Sequence, residues 1–302
     1  MRNFSKYFLR LAPLLIMAVV AGCSGNCNCA VPAFHGVPNP SPVPSPSAGA
    51  PVCNQGASPI VLGPALSTFA VLGGSAVSNV GNTLVTFEPG AVTGGTNDDL
   101  IGVWPGSSVT GFYPPGTDTD GPNAIYAAGY NPNTAVPQAA QGALTTAYNT
   151  AAGLAANATV AGDLSQAKVP GYPTGTLPPG VYKSTSTLGI MSGNLTLDGA
   201  GNPQSVFVFQ VASAFTTTLN GGAGGNVIVT NGASPCNVFW QVGSSATLGG
   251  ATFYGNVLAF SSITVNATTF VGRALAGGSA LGDGAVSIPV IGGSLITNPG
   301  GQ

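Results

Sequence analysis

Charged side chains are scarce in this chain of 302 residues. It has six Lys and Arg, eight Asp and Glu and a single His, so only 5% of its residues are charged. Proteins that bind nucleic acid need clustered basic side chains to neutralise phosphates, and the sequence has no such cluster. Nucleic acid is therefore not an expected partner. The single His, His35, lies in a Pro-rich N-terminal segment, which excludes a Ser-His-Asp triad in the region that follows it.

Clustered carboxylates are also lacking in the sequence. Asp98 and Asp99 are the only adjacent acidic residues, while Asp163 and Asp198 stand alone near predicted turns, where Asp commonly satisfies backbone groups. Some right-handed β-solenoid proteins are polysaccharide lyases or hydrolases, and these enzymes need clustered carboxylates, often with calcium, Lys or Arg. The Gly-rich stretch 221–225 lacks the Lys and the helix of a phosphate loop. We therefore expect no enzyme activity, no cofactor and no metal centre.

The N-terminus has one apolar run, residues 11–19, which is too short to span a bilayer as a permanent helix. Three basic residues precede it, and Val20-Ala21-Gly22-Cys23 follows it. This arrangement resembles a bacterial lipoprotein signal, which implies that residues 1–22 are removed and that Cys23 is lipidated. Ser24 instead of Asp implies outer-membrane sorting. We expect an exported lipoprotein of the outer membrane or cell surface, held to the membrane by its N-terminal lipid. The alternative is an ordinary secretory signal with an incidental Cys.

Residues 23–57 are predicted to form a linker. At 38–46, Pro alternates with Asn, Ser and Val, which favours extended polyproline II geometry and holds a domain away from its anchor. Four cysteines remain besides Cys23, and export permits disulfides, but their connectivity cannot be read from sequence. Cys53 and Cys236 could join the start of the domain to its middle. Cys27 and Cys29 would need ligands other than His35 to hold a metal, so a solvated linker or an intermolecular bridge is favoured.

The domain itself, residues 58–302, reads as mainly β. Lys168, Lys183 and Arg273 are its only basic residues, and with the eight acids, three minus eight gives a mature net charge of −5. Apolar residues alternate with Thr, Ser, Asn and Gly, which is typical of half-buried strands. One helix is predicted from about 137 to 154, where apolar residues recur at three- and four-residue spacing and Gly153 provides a stop.

A repeat of 17 to 19 residues is present in the later strands. Residues 237–255 and 256–272 share the order Asn-Val, then Ser-Ser-x-Thr, then Thr-Phe-x-Gly, and Arg273 begins a third, interrupted copy. Three short strands in such a period suit one coil of a triangular β-solenoid, in which each coil buries its apolar residues against the next. A β-sandwich is the competing fold, but it does not explain so short a period.

Four segments follow one another along the chain: Ile101-Gly102-Val103-Trp104-Pro105-Gly106, Ala143-Leu144-Thr145-Thr146-Ala147-Tyr148-Asn149, Leu177-Pro178-Pro179-Gly180-Val181-Tyr182 and Asn237-Val238-Phe239-Trp240-Gln241-Val242. With these segments, the sequence resembles the bacterial and fungal ice-binding, or antifreeze, proteins. The match runs in order from about residue 60 to 290. The resemblance implies a right-handed, discontinuous β-solenoid of triangular cross-section with one helix packed alongside. Segments 84–96 and 277–283 depart from the pattern, which puts the local loops in doubt.

The resemblance also implies that the ligand is an ice crystal surface and that the protein is monomeric. Strand alternation then predicts which side chains face it. If Leu219, Leu248, Ile263, Val265, Val286 and Ile288 point inward, the outward neighbours are Thr216, Thr218, Ser245, Thr247, Ser262, Thr264, Asn266 and Ser287. A flat grid of hydroxyls and methyls without competing charges can hold water in an ice-like arrangement.

Two other candidate surfaces and one other function stay open at this point. Thr252 and Thr269 form a second possible row, although Tyr254 would project beside it. Thr93-Gly94-Gly95-Thr96 resembles an ice motif of some relatives, or is a plain turn. Thr is favoured on any exposed strand, so the rows alone do not identify a ligand. A surface adhesin that binds polysaccharide or another cell is the alternative function.

Overall fold

The computed structural model describes residues 58–87, 99–218, 224–277, 284–289 and 293–299. The predicted signal peptide, Cys23, the linker with His35, Leu219 and Thr93 to Thr96 lie outside these ranges. Within them, no helix is both long and apolar enough to cross a membrane. Cys236 is disulfide-bonded, and its partner lies outside the described ranges.

The described residues are mainly β, with one main helix. Helix α1 is short, Gly63–Ser67, and α2 spans Ala135–Gly153, which confirms the helix predicted at 137–154. Three 3₁₀ helices lie at Pro122–Ala124, Leu164–Gln166 and Pro235–Asn237.

The strands in the described part of the chain form three sheets. A twelve-stranded sheet contains β1 Phe69–Gly73, β3 Leu84–Phe87, β4 Leu100–Val103, β6 Thr117–Asp118, β7 Ile125–Tyr126, β8 Ala158–Thr159, β11 Gly180–Ser184, β14 Phe207–Val211, β17 Val238–Val242, β19 Thr252–Ala259, β21 Thr269–Ala276 and β23 Leu295–Asn298. An eight-stranded sheet contains β2 Ala76–Asn79, β5 Ser108–Thr110, β9 Gly162–Asp163, β12 Leu188–Ile190, β15 Phe215–Thr217, β18 Ala246–Leu248, β20 Ile263–Val265 and β22 Ala285–Ile288. The third sheet has three strands, β10 Thr176–Leu177, β13 Leu195–Asp198 and β16 Val227–Thr230.

Every pairing between the described strands is parallel, and the repeat explains the register. Trp240 pairs with Val257, Thr247 with Thr264 and Thr252 with Thr269, so one coil of 17 residues contributes three strands in succession. The predicted repeat is therefore confirmed. Sandwich folds are built from antiparallel strands joined by Greek-key connections, so the competing prediction does not fit these ladders.

The early strands are inserted at the far end of the later coils. Strand β2 pairs with β22, β1 with β21 and β3 with β23, so N-terminal segments continue the ladders that the C-terminal coils begin. The buried Arg273 joins these regions. Its Nε donates to the Ser67 carbonyl oxygen at 3.0 Å and its Nη1 to Asn256 Oδ1 at 2.8 Å. Burial lowers the pKa of Arg273 to about 9.

Aromatic side chains stack along the core from coil to coil. Ring centroids of Tyr182 and Phe209 are 5.4 Å apart, those of Phe209 and Trp240 4.0 Å, and those of Trp240 and Phe253 5.5 Å. Gly255 makes room beside this stack. It has a φ of +118°, and a Cβ there would lie 2.7 Å from Trp240 Nε1. A side chain at Gly255 would therefore strain the backbone and collide with the core.

Helix α2 covers part of the twelve-stranded sheet. Its buried side chains, among them Leu144 and Tyr148, join a cluster with Val208, Phe239 and Leu258. The side chains of two glutamines fix the helix by hydrogen bonds. Gln141 Nε2 in the helix donates to the Gly73 and Ala276 carbonyls, and Gln210 Nε2 in β14 donates to the Ala151 and Leu154 carbonyls. The strands that α2 packs against, β1, β4, β14, β17 and β19, all belong to this sheet, so the helix does not occupy the eight-stranded sheet.

Candidate functional site

The outward side of the eight-stranded sheet is the candidate site. Its strands run in the order β9-β12-β15-β18-β20-β22-β2-β5. The inward side chains predicted from the sequence are buried, with exposed fractions of 1% or less: Leu248, Ile263, Val265, Val286 and Ile288. The predicted outward side chains are all half-buried: Thr216, Thr218, Ser245, Thr247, Ser262, Thr264, Asn266 and Ser287. The structure therefore brings all eight onto one face.

The register aligns six hydroxyl side chains in one continuous line, which we call the Ser/Thr row. Successive strands pair Thr216 with Thr247, Thr247 with Thr264, Thr264 with Ser287, Ser287 with Ser78, and Ser78 with Thr110. Parallel strands lie about 4.8 Å apart, so the row extends for about 24 Å. Because each residue occupies the same position in its coil, the six side chains leave the sheet in the same direction.

Small side chains flank the Ser/Thr row. Ser245 and Ser262 precede Thr247 and Thr264 by two residues, and the Ser262 hydroxyl is 2.9 Å from that of Ser245. Ala285 and Ala76 pair at the corresponding position in β22 and β2. A second flank includes Thr218 and Asn266, whose backbone N–H groups donate to Ile190 and Leu248 and continue the ladder beyond the strand ends. Because these flanking side chains are small, they project little beyond the hydroxyls of the Ser/Thr row.

Sequence reasoning missed two members of the row, Ser78 and Thr110. The alternation Ala76-Val77-Ser78 indicates a strand with Ser78 outward, but nothing local says that this strand lies beside β22. Strand β5 is equally distant in sequence from the coils that it extends. Only the insertion of the early strands at the end of the later coils places these hydroxyls in line.

The row ends at Thr216. The next two positions along the sheet are Gly189 and Asp163. A Cβ at Gly189 would lie 2.7 Å from Met191 Cε, so the Met191 side chain lies over the glycine. Asp163 Oδ1 accepts hydrogen bonds from the Ser165 N–H, the Ser165 hydroxyl and the Met191 N–H, and its Oδ2 accepts one from the Ser192 N–H. Burial alone would raise the pKa of Asp163, but these hydrogen bonds outweigh it and lower the pKa to about 2. Asp163 thus satisfies backbone groups, in agreement with the sequence analysis.

The second candidate row does not continue. Thr252 and Thr269 pair directly, but the next residues along the ladder are Leu295 and Leu84. Tyr254 pairs with Val271 beside them, and both are half-buried. Bulky and apolar side chains therefore interrupt this surface, whereas the Ser/Thr row contains neither.

The sequence suggested that carboxyl groups do not cluster, and this expectation is wrong. Asp99, Asp118 and Asp120 act on one another electrostatically although they are separated along the chain. In the described part of the chain, however, no set of three His, Cys, Asp or Glu side chains is arranged to hold a metal ion.

The comparisons with known proteins agree with this architecture. The sequence model of the ice-binding-like family matches residues 71–286, which include α2 and every strand except β23 and the ends of β1 and β22. The chain belongs to the ice-binding-like family. The family resemblance inferred from the sequence motifs is therefore confirmed.

Several relatives are named ice-binding proteins. An ice-binding protein of Nostoc sp. is 41% identical over 213 residues, which cover 70% of this chain and 66% of the Nostoc protein. Ice-binding protein 1 of Shewanella frigidimarina is 40% identical over 91 residues, or 30% of this chain and 10% of that protein. The chain thus spans less than two thirds of these relatives' length. The crystal structure of an ice-binding protein from an Antarctic biological consortium is 37% identical, covers 82% of this chain and 95% of its own, and has a TM-score of 0.62.

Proposed function

We propose that this protein binds ice by adsorption of the eight-stranded sheet, with the Ser/Thr row at the centre of the contact. The observation that carries the proposal is the unbroken line of six hydroxyl side chains from Thr216 to Thr110. Asp163, at one end, is the nearest charge along that line. Names of the relatives and of the solved structure support the same ligand.

The chemistry of the row suits an ordered water layer. Threonine methyls disfavour randomly oriented hydration, and the hydroxyls hydrogen-bond water at fixed spacings of about 4.8 Å across the strands. Full charges would orient water in competing directions, and the row has none between Thr216 and Thr110. Adsorption then needs no covalent step, so we propose that the protein acts as a monomer without enzyme activity or cofactor.

The proposal includes the finer geometry of the fold. We infer a right-handed, discontinuous solenoid of triangular cross-section. Support comes from the 17-residue coil, whose successive ladders lie in the twelve-stranded, the eight-stranded and again the twelve-stranded sheet, and from the right-handed rule for parallel crossover connections. Such a solenoid keeps the eight-stranded sheet flat, because each coil repeats the one before it.

Purified protein should shape growing ice crystals and inhibit recrystallisation at micromolar concentration. Microscopy of a single crystal held just below its melting point measures the first effect, and grain growth in frozen sucrose measures the second. Unshaped, disc-like crystals would contradict the proposal. The adhesin alternative predicts retention on polysaccharide or on cells without any effect on ice, and none of the relatives' names supports it.

We also propose that the protein is exported and anchored through lipid on Cys23, at the outer membrane or cell surface. Cells that express the full chain should incorporate a labelled fatty-acid precursor into it, and Cys23→Ser should abolish the label while Cys27→Ser retains it. Equal labelling of the parent chain and Cys23→Ser would contradict the anchor. The linker would hold the domain away from the membrane, where an ice surface can reach it.

A further inference from the structure

Two buried carboxyl groups lie where the inserted early strands meet. Asp99 immediately precedes β4 and has no exposed surface, and Asp118 in β6 is 5% exposed and pairs with Val85 of β3. Asp99 Oδ1 and Asp118 Oδ2 are both buried and have no hydrogen-bond partner. Two buried carboxyl oxygens without partners are costly, and the cost is greatest when the groups are ionised.

The surroundings of the pair are acidic or neutral. Asp120 and Tyr113 are the titratable groups that act on it, and Tyr130 in turn acts on Tyr113. The Thr119 hydroxyl donates a hydrogen bond to Asp99 Oδ2. Strands β3, β4 and β23 and helix α1 contribute no titratable side chain within their bounds, while Glu88 and Asp98 lie outside the described residues. No ion pair joins either carboxyl to a basic side chain among the described residues.

Burial, with the neighbouring acids, favours the protonated form of both groups. It raises the pKa of Asp99 to about 7 and that of Asp118 to about 8. An acid whose pKa is higher in the folded than in the unfolded chain binds more protons when folded. The stability that each group contributes is therefore fully present below the ordinary pKa of 3.8 and falls as the pH rises. It is lost above about 7 for Asp99 and above about 8 for Asp118.

The pair is connected to the end of the Ser/Thr row through Tyr113. The Tyr113 hydroxyl donates to the Asp118 carbonyl at 2.6 Å and accepts from the Asp118 N–H at 3.0 Å. Tyr113 follows β5, the last strand of the eight-stranded sheet, which pairs only with β2 among the described strands. The region is also held by the bond from Asn79 Nδ2 to the Gly111 carbonyl at 2.8 Å, by the bond from the Tyr130 hydroxyl to the Phe112 carbonyl at 2.6 Å, and by the buried side chain of Phe112. Because β5 is an edge strand with a neighbour on one side only, it is a place where local opening is expected before the centre of the sheet opens.

We propose that the Asp99–Asp118 pair is a pH-sensitive latch, which holds β5 with Thr110 on the eight-stranded sheet while the two carboxyls are protonated and releases it when both are ionised. As a regulator of ice adsorption this inference rests on the proposed function, because release of β5 removes Thr110 from the row. The movement of β5 itself can be observed without ice.

Hydrogen exchange tests the latch on the full chain. The amides of β5 should lose protection, after correction for intrinsic rates, by roughly a thousandfold between about pH 6 and about pH 9. Each pH unit below the folded pKa changes the opening equilibrium about tenfold per group, and this interval contains about one such unit for Asp99 and about two for Asp118. The amides of β18 and β20 should keep theirs. Asp99→Asn with Asp118→Asn should remove the pH dependence of β5, and the matched control Asp198→Asn should keep it.

Several outcomes would overturn the latch. One is a pH-independent β5 in the parent chain, a result that does not depend on whether the variants fold. Another is an unchanged pH response in the Asn variant. Restoration of protection at the higher pH by millimolar CaCl2 would mean that a cation, not a proton, holds the pair. Loss of ice shaping at every pH together with a pH-dependent β5 would contradict the proposed function and leave the latch intact.

Discussion

Replacing both Thr247 and Thr264 with Tyr is expected to reduce ice shaping and recrystallisation inhibition more than tenfold. The two residues pair on neighbouring strands in the middle of the Ser/Thr row, and both point outward. A Tyr ring projects well beyond a Thr methyl, so it would hold the neighbouring hydroxyls away from the ice. The few residues that dominate a contact cluster near its centre and carry about 2 kcal/mol or more each, which corresponds to more than tenfold in affinity. The measurement is the protein concentration at which grain growth stops.

The control for this prediction is Asn149→Tyr. Asn149 is exposed on α2, which packs against the other large sheet, so the same ring there should leave the activity unchanged. Circular dichroism and thermal unfolding establish that each variant is folded. A folded Thr247→Tyr, Thr264→Tyr protein with full activity would rule out this face.

A matched substitution tests the part of the row that the sequence did not reveal. Ser78→Tyr is expected to reduce activity as strongly as the central substitutions, because Ser78 lies between Ser287 and Thr110. Ser78 is not among the eight contact residues predicted from the sequence alone, so a contact limited to those eight would leave Ser78 without a role. Full activity of a folded Ser78→Tyr variant would limit the contact to the later coils.

Trp240→Ala is expected to cost about 3–5 kcal/mol of unfolding free energy, the usual range when a large buried aromatic is truncated. Trp240 has no exposed surface and stacks on Phe209 and Phe215 at centroid distances of 4.0 and 4.7 Å. Its Nε1 also donates to the Tyr254 carbonyl at 3.1 Å, which the truncation leaves without this partner. Because a domain is stable by only about 5–15 kcal/mol, this loss is a large share of the total. Urea denaturation followed by circular dichroism gives the free energy.

Phe260→Ala is the comparison for the core prediction. Phe260 is 40% exposed and meets Tyr148 at 6.4 Å, so its removal should cost much less. Trp240→Phe retains stacking and loses only the indole N–H, and should fall between the two. A Trp240→Ala protein as stable as Phe260→Ala would mean that coil stacking, not the aromatic core, carries the stability.

The later coils could be predicted from sequence because they repeat locally. The order Asn-Val, Ser-Ser-x-Thr, Thr-Phe-x-Gly specifies three strands and their inward residues, and the observed register follows from aligning the last two parts of its copies. At the first part the ladder pairs Phe239, not Asn237, with Asn256. Helix α2 was predictable for a related reason, because the three- and four-residue spacing of its apolar residues is a local pattern, and the residues at that spacing are the ones that are buried. Inward residues such as Leu248 and Val265 needed only the two-residue alternation of a strand.

The early strands carried no such signal. Strands β1 to β5 do not repeat the later pattern, and their partners lie far away in the chain. The clustering of Asp99 with Asp118 escaped prediction for the same reason, because their proximity depends on how β4 and β6 are placed. The buried Arg273 was equally hidden: its position equals that of Asn256 in the preceding coil, but its contact with Ser67 depends on the folded chain.

The coils, the helix, the outward Thr and Ser residues of β15 to β22 and the family resemblance could all be predicted from the order of the amino acids. The limits of the face could not, because they depend on the folded chain: Ser78 and Thr110 extend it at one side, and Gly189 and Asp163 close it at the other. The physical reason is that alternation and repeat length act between neighbours in sequence. The joining of distant edges depends instead on which unpaired backbone groups and apolar surfaces remain once the coils have stacked.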